Sequence, residues 1–139
     1  MVFQSKKGFT LIEVVVSIGI VSTILFALLA LFPFSLRLNR ASANLTQATY
    51  LAQAGMEQML SFSYDDINNV MEPKNKLSND PNNVLYNFER EIEATYLDQN
   101  LNISATDQGL KKITSTVYWY NPMNTDEQTY TLTTLISNY

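Results

Sequence analysis

Lys6-Lys7-Gly8-Phe9-Thr10-Leu11-Ile12-Glu13 runs straight into Val14-Val15-Val16-Ser17-Ile18-Gly19-Ile20, and the reading of this stretch decides the fold. From Val14 to Leu36 no side chain is charged, and the polar ones are Ser17, Ser22, Thr23 and Ser35. About 20 apolar residues in a helix suffice to cross a bilayer core. Beyond this block the sequence turns rich in Asn, Thr, Gln and Asp. The chain therefore reads as a membrane-competent stem followed by a water-soluble head.

The residues before the apolar run do not form an ordinary secretory signal. Such a signal places a small-residue cleavage site after its apolar segment. Here the small residue, Gly8, comes before it, behind the basic pair Lys6 and Lys7. On hydropathy alone an uncut single-pass anchor explains the run. Glu13 resists that explanation. A carboxylate at membrane depth costs about 2.5–3.5 kcal/mol on insertion scales. Neither lysine stands three or four residues away, the spacing at which helical side chains meet. A cut between Gly8 and Phe9 would create a new amine at Phe9. That amine lies within reach of the chain's own Glu13, or of a neighbour's in a packed bundle.

Lys6-Lys7-Gly8-Phe9-Thr10-Leu11-Ile12-Glu13 resembles the cleavage and methylation motif of type IV prepilins and pseudopilins. The resemblance covers roughly residues 6 to 32. It implies an α+β pilin-like fold, with a long N-terminal helix packed on a small antiparallel sheet. It implies cleavage after Gly8 by a membrane prepilin peptidase, which also methylates the amine of Phe9. It implies Glu13, with Thr10 beside it, as the assembly residues, and Lys6 and Lys7 as the basic residues of the leader. The implied partners are other pilin or pseudopilin subunits, the peptidase/methylase, an inner-membrane platform protein and the lipid bilayer. Many major pilins carry a proline at the position held here by Ala30; this chain has Pro33 instead, which favours a minor pilin or a pseudopilin. The expected location is the cytoplasmic membrane, with the head outside the cytoplasm, and then a filament. Charge does not fix that orientation, because Arg37 and Arg40 after the span balance Lys6 and Lys7 before it.

The expected organisation is a leader at 1–8, a transmembrane and assembly helix at 9–36, an amphipathic continuation at 37–62 and a head at 63–139. Thr10 to about Phe62 reads as one helix, broken or bent once at Pro33. Gly19 permits close approach of another helix. After the proline, Leu38, Ala41, Leu45, Ala48, Ala52, Gly55 or Met56, and Met59 recur in steps of three and four. That narrow stripe suits packing on the chain's own sheet, with a coiled-coil dimer as the alternative.

In the head, residues 63–83 are dense in Asp, Asn and Pro and read as a long loop. Three strands follow from period-two alternation: Phe88 to Tyr96, Ile113 to Tyr120 and Tyr130 to Ile136. A short strand is also expected over Leu101 to Ala105. Asn121-Pro122-Met123-Asn124 and Thr125-Asp126-Glu127 form the hairpin loop between the last two strands. The helix is expected to bury Val117, Trp119, Leu132 and Ile136.

The sequence excludes several functional classes. Cysteine and histidine are both absent, which removes disulfides, thiolate metal sites and the commonest general base. The formal net charge is -4 with no basic cluster beyond the first residues, so no nucleic-acid partner is expected. No catalytic residue, cofactor or metal site is assigned. Glu89, Glu91 and Glu93 read as a solvated strand face. Asp65-Asp66 and Asp107-Gln108-Gly109 lack the spaced ligand set of a calcium loop. Tyr118, Tyr120, Tyr130 and Tyr139 read as sheet packing, with a stacking surface as the alternative. The sharpest rivals to a pilus subunit are a pseudopilin of a secretion or DNA-uptake system and an uncleaved anchor with a binding head.

Overall fold

The computed structural model describes residues 8–67, 71–120 and 126–138. Among these residues there are one helix, α1 (Leu11–Leu60), and four strands: β1 (Glu72–Lys76), β2 (Phe88–Tyr96), β3 (Leu110–Tyr120) and β4 (Glu127–Ser137). The chain divides into two compact units, Met1–Arg40 and Ala41–Tyr139.

In the first unit, every described apolar side chain from Phe9 to Leu36 is exposed. α1 is the one described helix long and apolar enough to cross a membrane, with a mean hydropathy of 2.7 in its most apolar window. Three of its hydroxyls turn back on their own backbone. Ser17 Oγ donates to the Glu13 carbonyl at 2.7 Å, Ser22 Oγ to Ile18 at 2.7 Å and Thr23 Oγ1 to Gly19 at 2.9 Å. Hydrocarbon offers a polar group no partner, so this internal satisfaction suits a lipid-facing helix. Pro33 lies inside α1 without ending it, so of the two expected alternatives, a break or a bend, the break does not occur: a proline removes one hydrogen bond, and the bonds on either side carry the helix through.

The second unit is an antiparallel sheet of order β1-β2-β3-β4 with α1 packed on one face. Alternation along β3 fixes which face is covered. Lys111, Ile113, Ser115, Val117 and Trp119 are buried while the residues between them are partly exposed. Facing them, Ala48, Ala52, Gly55, Met56 and Met59 form the buried stripe of α1. Two clusters make the core. Ala48 and Ala52 meet Phe88, Val117 and Trp119, with the Phe88 and Trp119 ring centroids 6.3 Å apart. Met56 and Met59 meet Ile67, Ile92 and Ile113. Each large side chain so buried contributes about 1.5–3 kcal/mol. The small residues at 48, 52 and 55 let the helix backbone come close to the strands.

Several expectations change. The stripe is covered only from Ala48 onward; Leu38, Ala41 and Leu45 are exposed. β3 begins at Leu110 rather than Ile113 and β4 at Glu127 rather than Tyr130, so Glu127 of the expected hairpin loop belongs to a strand, while residues 121–125 of that loop lie outside the described residues. Val117 and Trp119 are buried as expected, whereas Leu132 and Ile136 on β4 are only partly buried. The region read as a continuous loop holds β1, which pairs with β2 through Glu72↔Ile92, Asn75↔Arg90 and Lys76↔Glu89. The segment Glu-Pro-Lys-Asn-Lys has no apolar alternation, because an edge strand needs only its backbone to join the ladder. Leu101 to Ala105 forms no strand. A single bridge, Leu97↔Ile103, closes a turn there. Asp98 Oδ1 organises that turn, accepting from the backbone amides of Asn100 and Asn102 at 2.8 Å each. These bonds hold its carboxyl below the usual carboxylate range, and Leu101 takes a positive φ of 65° within the turn.

Candidate processing and assembly site

Thr10 begins α1 as its N-cap. The backbone amide of Glu13 donates to Thr10 Oγ1 at 3.3 Å and to the Thr10 carbonyl at 3.1 Å. Thr10-Leu11-Ile12-Glu13 thus has the Thr-x-x-Glu spacing of a capping box, a signal the sequence reading passed over. It gives Glu13 a second physical role: an acid in the first turn complements the partial positive charge at a helix N-terminus. Gly8 and Phe9 precede the helix, and both are exposed. A Cβ built on Gly8 meets nothing within 4 Å. The residues expected to be cut and methylated thus lie on accessible, non-helical chain, with Phe9 four residues before Glu13 in the sequence. Lys6 and Lys7 lie outside the described residues. A Cβ on Gly19 likewise meets nothing within 4 Å, so its surface is open to another helix.

The head gathers three polar clusters, none of them assigned from the sequence. In the first, Lys111 is buried beneath the loop that follows α1. Its Nζ donates to the Tyr64 carbonyl and stands 3.7 Å from Asp107 Oδ2. It also lies 3.8 Å from the Tyr64 ring centroid and 5.5 Å from that of Tyr96. Tyr64 Oη donates to Asp107 Oδ1 at 2.6 Å. Burial, reinforced by that bond to a carboxylate, pushes the Tyr64 hydroxyl up, and the same bond holds the Asp107 carboxyl down. Asp107, considered as a calcium ligand, is thus committed to a tyrosine, the Gly109 amide and a lysine. Asp66 Oδ2 accepts from Ser63 Oγ at 2.6 Å.

In the second cluster, Arg90 lies on the inward phase of β2 between Phe88 and Ile92. Its Nη2 donates to Glu72 Oε2 at 2.8 Å and to Gln58 Oε1 at 3.4 Å, with Nε 3.2 Å from the same Glu72 oxygen. The third spans the outer face. Lys74 Nζ sits 2.6 Å from Glu127 Oε1, 3.6 Å from Glu89 Oε2 and 3.9 Å from the Tyr118 ring centroid. Its bond to Glu127 raises its proton affinity. Tyr118 Oη donates to Glu91 Oε2 at 2.6 Å, and that bond, with burial, pushes the phenol up to about 12. Of the glutamate row read as solvated, Glu89 and Glu91 are therefore engaged, and Glu93 is exposed. The tyrosines share no single surface. Tyr118 and Tyr120 face away from α1, Tyr130 packs toward it, and Tyr139 lies outside the described residues. Among the described residues, no three acidic side chains gather where they could hold a metal.

No curated protein and no solved structure matches the chain. The family model described as "Prokaryotic N-terminal methylation motif" matches residues 3–29. That span contains Gly8, Phe9, Thr10 and Glu13 and much of the apolar part of α1. Through it this α+β, pilin-like chain carries the signal motif of type IV prepilin-like proteins.

Proposed function

We propose that the chain is a minor-pilin-like structural subunit, cut after Gly8, methylated on the amine of Phe9 and assembled through Glu13. The observation that carries this reading is an ordered one: an accessible Gly8-Phe9 junction, a capped helix start at Thr10, one acid at Glu13, and then an uncharged helix. Residues 11–36 span about 39 Å at 1.5 Å per residue, enough to cross a hydrocarbon core of about 30 Å. In the membrane this segment holds the subunit beside its peptidase and platform protein, with the head outside the cytoplasm. During assembly it exchanges lipid for the stems of neighbouring subunits. The Phe9 amine of one subunit then meets the Glu13 carboxylate of the next, and each charge offsets the cost of desolvating the other. The work is structural: the chain catalyses nothing and positions a head on a filament.

Glu13 has two candidate roles, and one pair of substitutions separates them. Glutamine serves in a capping box as glutamate does but carries no charge. If Glu13 acts by pairing with an amine, Glu13→Gln and Glu13→Ala both reduce incorporation into sheared filaments at least tenfold, while membrane insertion persists. Normal incorporation of Glu13→Gln leaves capping as its role and removes the pairing.

A further inference from the structure

Among the described residues, the strand order leaves one side of β1 and one side of β4 without a neighbouring strand, and the two edges are built differently. β1 is five residues long, contains Pro73 and two lysines, and shifts register between Glu72 and Asn75. Short length, proline, charge and irregularity are the means by which sheets discourage further pairing. β4 has none of them beyond a single charge at its first residue, Glu127. It runs eleven residues, and from Gln128 to Ser137 it has no charge, no proline and no glycine.

The ladder shows which β4 groups point outward. The amide of Asn138 donates to the Gly109 carbonyl at 3.0 Å, and the register continues unshifted from Leu110↔Ser137 to Tyr120↔Glu127. In an antiparallel pair, alternate residues direct both backbone groups at the partner. Ile136, Thr134, Leu132, Tyr130 and Gln128 therefore bond to β3. Ser137, Leu135, Thr133, Thr131, Thr129 and Glu127 direct their N–H and C=O groups away from it. Under the same strand the layer between helix and sheet is open at both ends. One cleft, of about 270 Å³, lies between Leu45, Trp119 and Gln128. The other, of about 180 Å³, lies between Leu60, Phe62 and Ile136.

We propose that β4 is an acceptor edge for an extended segment of a partner polypeptide, which adds to the sheet as a fifth strand. Only an extended backbone matches a row of alternating donors and acceptors at strand spacing. The clefts at the two ends, with the partly exposed Tyr130 and Leu132 between them on the same face, call for apolar side chains at every second position of the incoming strand. The outer face beside Thr129, Thr131 and Thr133 suits small polar ones between them. The absence of charge from Gln128 to Ser137 matches an uncharged segment. A second copy of this chain fits less well. Antiparallel pairing of β4 with β4 places a two-fold axis normal to the sheet, which reverses α1 in the neighbour. Stems anchored in one membrane point the same way, so the choice of a different chain rests on the proposed anchoring. The β1 of a second copy is too short and holds Pro73.

The full chain in micelles tests this by residue-resolved amide exchange. The probe is a capped peptide of eleven alternating valines and threonines with a lysine at each end. Saturating peptide is expected to slow exchange at Thr129, Thr131, Thr133 and Leu135 at least tenfold. The effect should vanish when alternate peptide amides are N-methylated. It should also vanish in Thr131→Pro/Thr133→Pro, which removes two outward donors and spares the ladder to β3. Unchanged exchange, or equal protection by the methylated peptide, overturns the proposal. So does protection that rises with protein concentration alone, which would mark a second copy as the occupant. None of these readouts depends on whether the N-terminus is cut, so the anchoring reading stands or falls separately.

Discussion

A Cβ placed on Gly55 would stand 3.0 Å from Cδ of Arg90 and 3.0 Å from Oγ of Ser115. Glycine occupies this buried turn of α1 because the Arg90 side chain crosses beneath it on its way to Glu72. Two effects oppose each other in Gly55→Ala. Helix propensity favours alanine by about 1 kcal/mol, while overpacking costs about 1–3 kcal/mol. The expected net result is destabilisation by about 1 kcal/mol. In an Arg90→Ala background much of the contact is gone, and the same change becomes stabilising. Denaturant unfolding of the four proteins checks that reversal of sign.

The Arg90–Glu72 pair is asymmetric: side-chain exposure is 12% for Arg90 and 35% for Glu72. Removing the exposed partner leaves a guanidinium mostly out of water, with Gln58 as its remaining side-chain acceptor. Glu72→Gln is expected to cost about 1 kcal/mol, reduced by solvent screening at the glutamate. Arg90→Met, which removes the buried charge and keeps the volume, is expected to cost less than Arg90→Ala. Chemical unfolding midpoints distinguish the three.

The Lys111 clasp sets a pH window. Asp107 is depressed below its ordinary value of 3.8, so its contribution is present above that value and is lost as pH falls through the lower folded value. Tyr64 is raised above its ordinary 10.0, so its contribution is full below pH 10.0 and is lost as pH rises toward the folded value. Thermal melting is therefore expected to be flat between these limits as far as these two groups decide it. Asp107→Asn should flatten the acid limb, leaving the share that Asp98 contributes there. Lys111→Ala, which opens a cavity and strips the Tyr64 carbonyl of its donor, should cost about 3 kcal/mol throughout.

Cleavage is expected to depend on the size of residue 8. Gly8→Leu should leave a full-length protein in the membrane, read as an unshifted band beside the processed wild type. A processed-length product from this variant would move the site elsewhere.

Much of the fold was legible because hydrophobic period reports burial directly. Phe88 to Tyr96 forms a strand at the bounds its alternation gives. Charge hid the rest. Lys111 is in phase with Ile113 and Val117, yet a lysine reads as a surface residue until Tyr64 and Asp107, distant in sequence, are seen around it. Arg90 is in phase with Phe88 and Ile92 and needs Gly55 above it. β1 carried no hydrophobic signal, since it joins the sheet through its backbone and through the polar side chains of Glu72 and Lys74. The Thr-x-x-Glu spacing that starts α1 is legible in the sequence alone, at the same glutamate that the cost of a buried charge singles out.

The central claim is that the Phe9 amine exists in the mature protein. Top-down mass spectrometry of the chain, isolated from its own cells, measures this directly. The account predicts a polypeptide that begins at Phe9 and carries one added methyl group on its amine. A chain that still begins with Met1 and runs intact through Gly8 contradicts it.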